Sequence, residues 1–116
     1  MTLNTSKSLE ICLITDLPDG STNAFEIAEG KNIQKFFIVR KGKSIFAYLN
    51  SCPHTGSPLD WVPNQFLNKE KEYIMCATHG ALFEIDTGKC VEGPCKGDKL
   101  NSLKASIIEN KVFIHI

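Results

Sequence analysis

The chain has 116 residues, enough for one domain with a modest core and few enough that a metal centre would add usefully to its stability. An apolar fraction of 42% with 22% charged residues is ordinary for a globular protein, and thirteen basic side chains balance thirteen acidic ones. That balance argues against nucleic-acid or anionic-membrane partners. No stretch is long and apolar enough to cross a bilayer, and Met1–Ser8 lacks the apolar core of a signal peptide, so a cytoplasmic location is expected.

In chain order the sequence reads as short strands separated by turn residues. Leu9–Ile14 alternates loosely and runs into the turn cluster Asp16-Leu17-Pro18-Asp19-Gly20. Ala24–Ile27 is a weak strand closed by Glu29-Gly30. Lys35–Arg40 and Ser44–Leu49 form a hairpin around Lys41-Gly42-Lys43, and its second strand leads directly toward Cys52. Glu72–Met75 leads into Cys76, and Ala81–Ile85 leads away from His79 to the turn Asp86-Thr87-Gly88. A last hairpin joins Ala105–Glu109 to Val112–Ile116 around Asn110-Lys111. No helical period, repeat or low-complexity tract is present, and evenly spaced short strands predict an all-β sandwich or barrel.

Two boxes carry the chemistry: Cys52-Pro53-His54 and Cys76-Ala77-Thr78-His79, with 21 residues between them. Each offers one thiolate and one imidazole, so two loops supply four ligands. A Cys₂His₂ zinc site is one reading, although zinc spacings usually group like ligands as C-x₂₋₄-C and H-x₃₋₅-H rather than alternating them. In a reducing compartment, cysteine used as a metal ligand is the natural expectation.

The alternation, with His54-Thr55-Gly56-Ser57-Pro58-Leu59 after the first box and His79-Gly80-Ala81-Leu82-Phe83 within the second, resembles the Rieske iron–sulfur proteins. The resemblance implies one [2Fe–2S] cluster, with Cys52 and Cys76 on one iron and His54 and His79 on the other. It also implies a Rieske-like fold for residues 1–116. A basal antiparallel β-domain would span about 1–49 and 99–116, with a cluster-binding subdomain at about 50–98. Gly93-Pro94 matches the Gly-Pro loop that covers the cluster in the family, leaving the histidine edge exposed.

Departures within the family carry information. Rieske proteins of respiratory complexes have an extra cysteine in each ligand loop, joined as a disulfide; Ser57 and Ala77 stand at those positions here. They also carry a Ser and a Tyr that donate hydrogen bonds to sulfur, where this chain has Ala81 and Phe83. Fewer donors stabilise the reduced cluster less, so the resemblance implies a potential near −150 mV rather than +300 mV, roughly the low end of the Rieske range. The pattern is similar to soluble Rieske ferredoxins of aromatic-ring dioxygenases and to the small subunit of nitrite reductase. With no nucleophile elbow, phosphate loop or dinucleotide fingerprint, a one-electron carrier between a reductase and an oxygenase or other redox partner is expected, docking at the histidine edge. Thr55, Ser57, Pro58, Ala77, Thr78 and Pro94 would make an uncharged rim there. A redox-sensing module using the cluster or Cys90 with Cys95 is the alternative, and a zinc-stapled binding module is another. Cys12 and His115 read as structural, and Trp61–Leu67 as packing for the subdomain.

Overall fold

A computed structural model describes residues 8–29, 31–53, 56, 58–60, 64–76, 80–94 and 96–115. Its strands are β1 (Ser8–Leu13), β2 (Thr22–Glu29), β3 (Asn32–Lys41), β4 (Ser44–Leu49), β5 (Tyr73–Met75), β6 (Leu82–Glu84), β7 (Cys90–Glu92), β8 (Ser102–Ile108) and β9 (Lys111–His115). One 3₁₀ turn, Ile14–Asp16, follows β1, and no α-helix occurs among the described residues. The strands form a six-stranded sheet, β1-β9-β8-β4-β3-β2, and a three-stranded sheet, β5-β6-β7, with antiparallel pairing throughout. The protein is therefore all-β, as the sequence predicts.

The architecture turns on β3. Its central run Phe36-Phe37-Ile38-Val39 is buried at every position, although side chains on a strand alternate between faces. Phe36 and Ile38 join Leu17, Ile27, Ala47, Val112 and Ile114 in one core, fringed by residues from β1, β2, β4 and β8 and by Ile14. Phe37 and Val39 face a second core with Tyr48, Leu59, Phe66, Ile74 and Phe83. One strand thus walls two cores, and each such side chain stabilises by roughly 1.5–3 kcal/mol relative to exposure. Phe37 stacks on Phe66 with ring centroids 4.1 Å apart, so part of the segment predicted to pack does so. Trp61, Val62 and Pro63 lie outside the described residues.

Polar contacts tie the sheets and loops together. The Tyr48 hydroxyl donates to the Ile85 carbonyl over 2.6 Å, linking β4 to the end of β6. Arg40 donates to the carbonyls of Ile14 and Leu17, anchoring the 3₁₀ turn on β3. Asn64 lies along β2: its carbonyl accepts from the Thr22 hydroxyl and its side-chain oxygen from the Ala24 N–H. His115 bridges the Ser8 and Ser106 hydroxyls across β1, β9 and β8, which fits a structural role.

Several element boundaries differ from the sequence expectations. Strand β2 runs from Thr22 to Glu29, longer than Ala24–Ile27, because its polar ends still pair in register with β3. Strand β7 was not predicted; three residues carry no period, and its pairing comes from β6. The last turn is centred on Glu109-Asn110, both at positive φ as a two-residue primed turn requires, so Lys111 belongs to β9. Cys12 lies part-exposed at the margin of its core rather than fully buried, displaced by a register shift in β1 between Glu10 and Cys12.

Candidate metal centre

Strand β4 delivers the first loop. After Leu49, the Asn50 N–H is held by the Lys35 carbonyl, and the Asn50 side-chain oxygen accepts from the Leu59 N–H over 2.8 Å. The Asn50 amide also donates to Asp60. One side chain at the loop's entrance therefore grips its exit, and the loop starting at Cys52 is closed at its base. Within it the Gly56 N–H donates to the Cys52 carbonyl over 2.7 Å.

The second loop leaves β5 and is built the same way. The Cys76 N–H donates to the Ala81 carbonyl, and the Gly80 N–H donates to the Cys76 carbonyl over 2.9 Å. In both loops a cysteine carbonyl accepts from a glycine four residues on, and both glycines are left-handed, with φ of 77° at Gly56 and 67° at Gly80. A Cβ at either would meet nothing within 4 Å, so backbone conformation and not space selects glycine there.

The two turns enclose residues 53–55 and 77–79. His54 and His79 fall within those segments and lie outside the described residues, as do Thr55, Ser57, Ala77 and Thr78. Both cysteines are described. Cys52 is 3% exposed and Cys76 fully buried, and both belong to the core that includes Phe83 and Ala81. A thiolate in such apolar surroundings is costly unless a cation neutralises it. Two buried sulfurs from two matched loops therefore suit a metal group bound by thiolates.

The neighbouring segment closes over the second loop. Gly93 has φ of 107°, and a Cβ there would come within 2.8 Å of the Ala81 Cα, two residues beyond His79. The Gly-Pro segment thus lies against the second cysteine loop, with Pro94 exposed. Cys90 is buried in the same core and donates to the Glu92 carbonyl over 3.3 Å; Cys95 lies outside the described residues. Ala81 and Phe83, where side-chain donors were expected to be missing, are both buried. The brace formed by Asn50 and Asp60 went unrecognised in the sequence, although an asparagine between a strand and a ligand box was its available signal.

Tyr48 sits behind this site. Its burial, and secondarily the negative charge of Asp86, push the phenol up to about 12. Gly88 packs against its ring, where a Cβ would come within 2.7 Å of Cε1.

Comparison with known proteins agrees with this geometry. Ferredoxin of carbazole 1,9a-dioxygenase from Nocardioides aromaticivorans IC177 superposes with a TM-score of 0.73 at 21% identity, covering 93% of this chain and 96% of that one. A ferredoxin of Sphingomonas yanoikuyae B1 does so with a TM-score of 0.70 at 21% identity, covering 95% and 99%. At this identity the likeness is one of fold. Among curated sequences, human apoptosis-inducing factor 3 is 29% identical over 90% of this chain, and the cytochrome b6-f complex iron-sulfur subunit of Chlorobaculum tepidum is 28% identical over 88%. The chain spans only 16% and 50% of those two relatives. The family model of the Rieske [2Fe-2S] domain matches residues 7–106. With that match over most of its length, the chain belongs to the Rieske [2Fe-2S] domain family.

Proposed function

We propose that the protein is a one-electron carrier of the Rieske ferredoxin type, with Cys52, His54, Cys76 and His79 holding a single [2Fe–2S] cluster. The observation that carries this reading is the pair of buried cysteines, each at the head of a turn closed by a left-handed glycine four residues later. When bound, the cluster supplies reversible one-electron redox chemistry at a potential raised by its two neutral imidazole ligands. The chain's own part is to hold the ligands rigidly and keep water from the sulfur side. Asn50 fixes the base of the first loop, Tyr48 and Phe83 back the site, and the Gly93-Pro94 segment covers it. The cluster-binding part would comprise about residues 50–98 on a basal part of about 1–49 and 99–116. The sheet division supports this, since the six-stranded sheet draws only on residues within 8–49 and 102–115.

A donor reductase and an oxygenase acceptor are the partners this reading names, supported by the fold shared with ferredoxins of dioxygenase systems. Ala81 and Phe83, both buried, have no side-chain donor to offer the sulfurs, which supports a midpoint near the low end of the family, roughly −150 mV. The test is electron paramagnetic resonance of the anaerobically reduced protein. A rhombic signal with low average g supports the four ligands; a colourless, silent protein with stoichiometric zinc refutes the carrier and leaves a zinc-stapled binding module.

A further inference from the structure

Charge gathers beside the first cysteine loop. An open groove of about 710 Å³ runs beside Pro53, the residue between Cys52 and His54, and is lined by Thr87, Lys89, Asp98, Lys99 and Asn101. Lys89 and Lys99 face each other across an isolated antiparallel bridge, held by the Leu100 N–H on the Gly88 carbonyl and the Cys90 N–H on the Asp98 carbonyl. Like charges directly opposite each other on paired strands destabilise a fold. Both lysines are exposed, and among the described residues the ion pair within 4.0 Å joins Lys35 to Glu26, elsewhere in the molecule. Exposed Lys96 adds a third cation on the same segment; Asp98 offsets one of the three, and the Glu84 carboxylate, accepting from the Thr87 hydroxyl, offsets a second. In a chain with no net charge, this local excess beside a ligand loop makes an uneven field.

Resting on the carrier reading, we infer that the Lys89–Lys99 groove is the electrostatic half of the docking surface. The partner it fits is a redox protein that surrounds its own centre with carboxylates. The lysines steer that partner so that the Pro53 side of the first ligand loop faces it, and contact at the rim follows. Exposed lysines at such a border act on association rate and salt dependence more than on final affinity.

The electron exit can be interrogated with small probes of opposite charge. Cluster-loaded protein is reduced and then oxidised in stopped flow, separately by ferricyanide and by tris(phenanthroline)cobalt(III), each taking one electron. Ionic strength is varied in wild type, in the Lys89→Glu/Lys99→Glu variant and in Lys41→Glu/Lys43→Glu. The last carries the same change in net charge at the far end of β4 from Cys52. The inference requires that ferricyanide react faster at low salt with wild type, and that Lys89→Glu/Lys99→Glu lower that advantage about tenfold while raising the rate with the cobalt complex. Lys41→Glu/Lys43→Glu should change both rates far less. Equal responses from the two double variants, or none from either, overturn the docking assignment while a coloured, reducible protein leaves the carrier reading standing. A colourless preparation instead refutes the carrier reading itself.

Discussion

Gly93 shows how one residue can join backbone strain to close packing. Its φ of 107° is a conformation side chains resist, and the position of a Cβ lies 2.8 Å from the Ala81 backbone, which has no flexible end to yield. Gly93→Ala is expected to destabilise by about 1–3 kcal/mol, read as a lower urea midpoint at unchanged slope. An unchanged midpoint would mean that the covering segment is not packed as described. The cysteines make a sharper case. Cys52→Ser or Cys76→Ser should leave the purified protein without visible absorbance and with background iron, because an alcohol is a poor replacement for a buried thiolate ligand. Retention of full iron content in either variant would remove that cysteine from the ligand set.

At the level of elements, Tyr48 couples β4 to the end of β6. Removing its hydroxyl in Tyr48→Phe leaves the Ile85 carbonyl without that donor and should cost about 1–3 kcal/mol near neutral pH. The same residue gives a pH dependence of definite sign. Its pKa in the fold is raised to about 12 from 10.0, so the unfolded chain loses the phenol proton first. The stabilisation is complete below about pH 10 and fades as pH rises through about 12. The gap in urea midpoint between wild type and Tyr48→Phe should therefore narrow between about pH 10 and 12; a constant gap would contradict the raised pKa. Strands of this kind were legible where apolar runs are bounded by turn residues: Lys35–Arg40 and Ser44–Leu49 around a Gly-containing loop predict the β3–β4 hairpin, and the apolar run after His79 predicts β6. Strand β7 was hidden because Cys90-Val91-Glu92 is too short to show a period and is specified by its partner. Both cysteine loops were legible from the spacing of Cys and His in their two boxes. The matching turns that close them were not, because a carbonyl-to-amide bond has no side-chain signature.

For the whole molecule, two cores sharing one wall imply uneven stability. Cys52 and Cys76 belong to the core of Phe37, Phe66 and Phe83, whereas the core of Phe36, Val112 and Ile114 contains neither. Removing the cluster with acid and chelator should therefore accelerate amide hydrogen exchange first in β5, β6 and β7, with protection largely kept in β8 and β9. Uniform acceleration would show the cores to be one cooperative unit. The order of strands in the large sheet was not readable from sequence, because Ala47 pairing with Leu103 is a long-range choice that neither segment encodes alone.

The placement of Asn64 bears on life at high concentration. Strand β2 is an outer strand, and bare outer strands recruit copies of themselves into polymers. By occupying the Ala24 amide and the Thr22 hydroxyl, Asn64 imitates a neighbouring strand without continuing as one. The opposite outer strand, β1, is interrupted by its irregular register between Glu10 and Cys12. Both margins are thus poor templates for self-propagation.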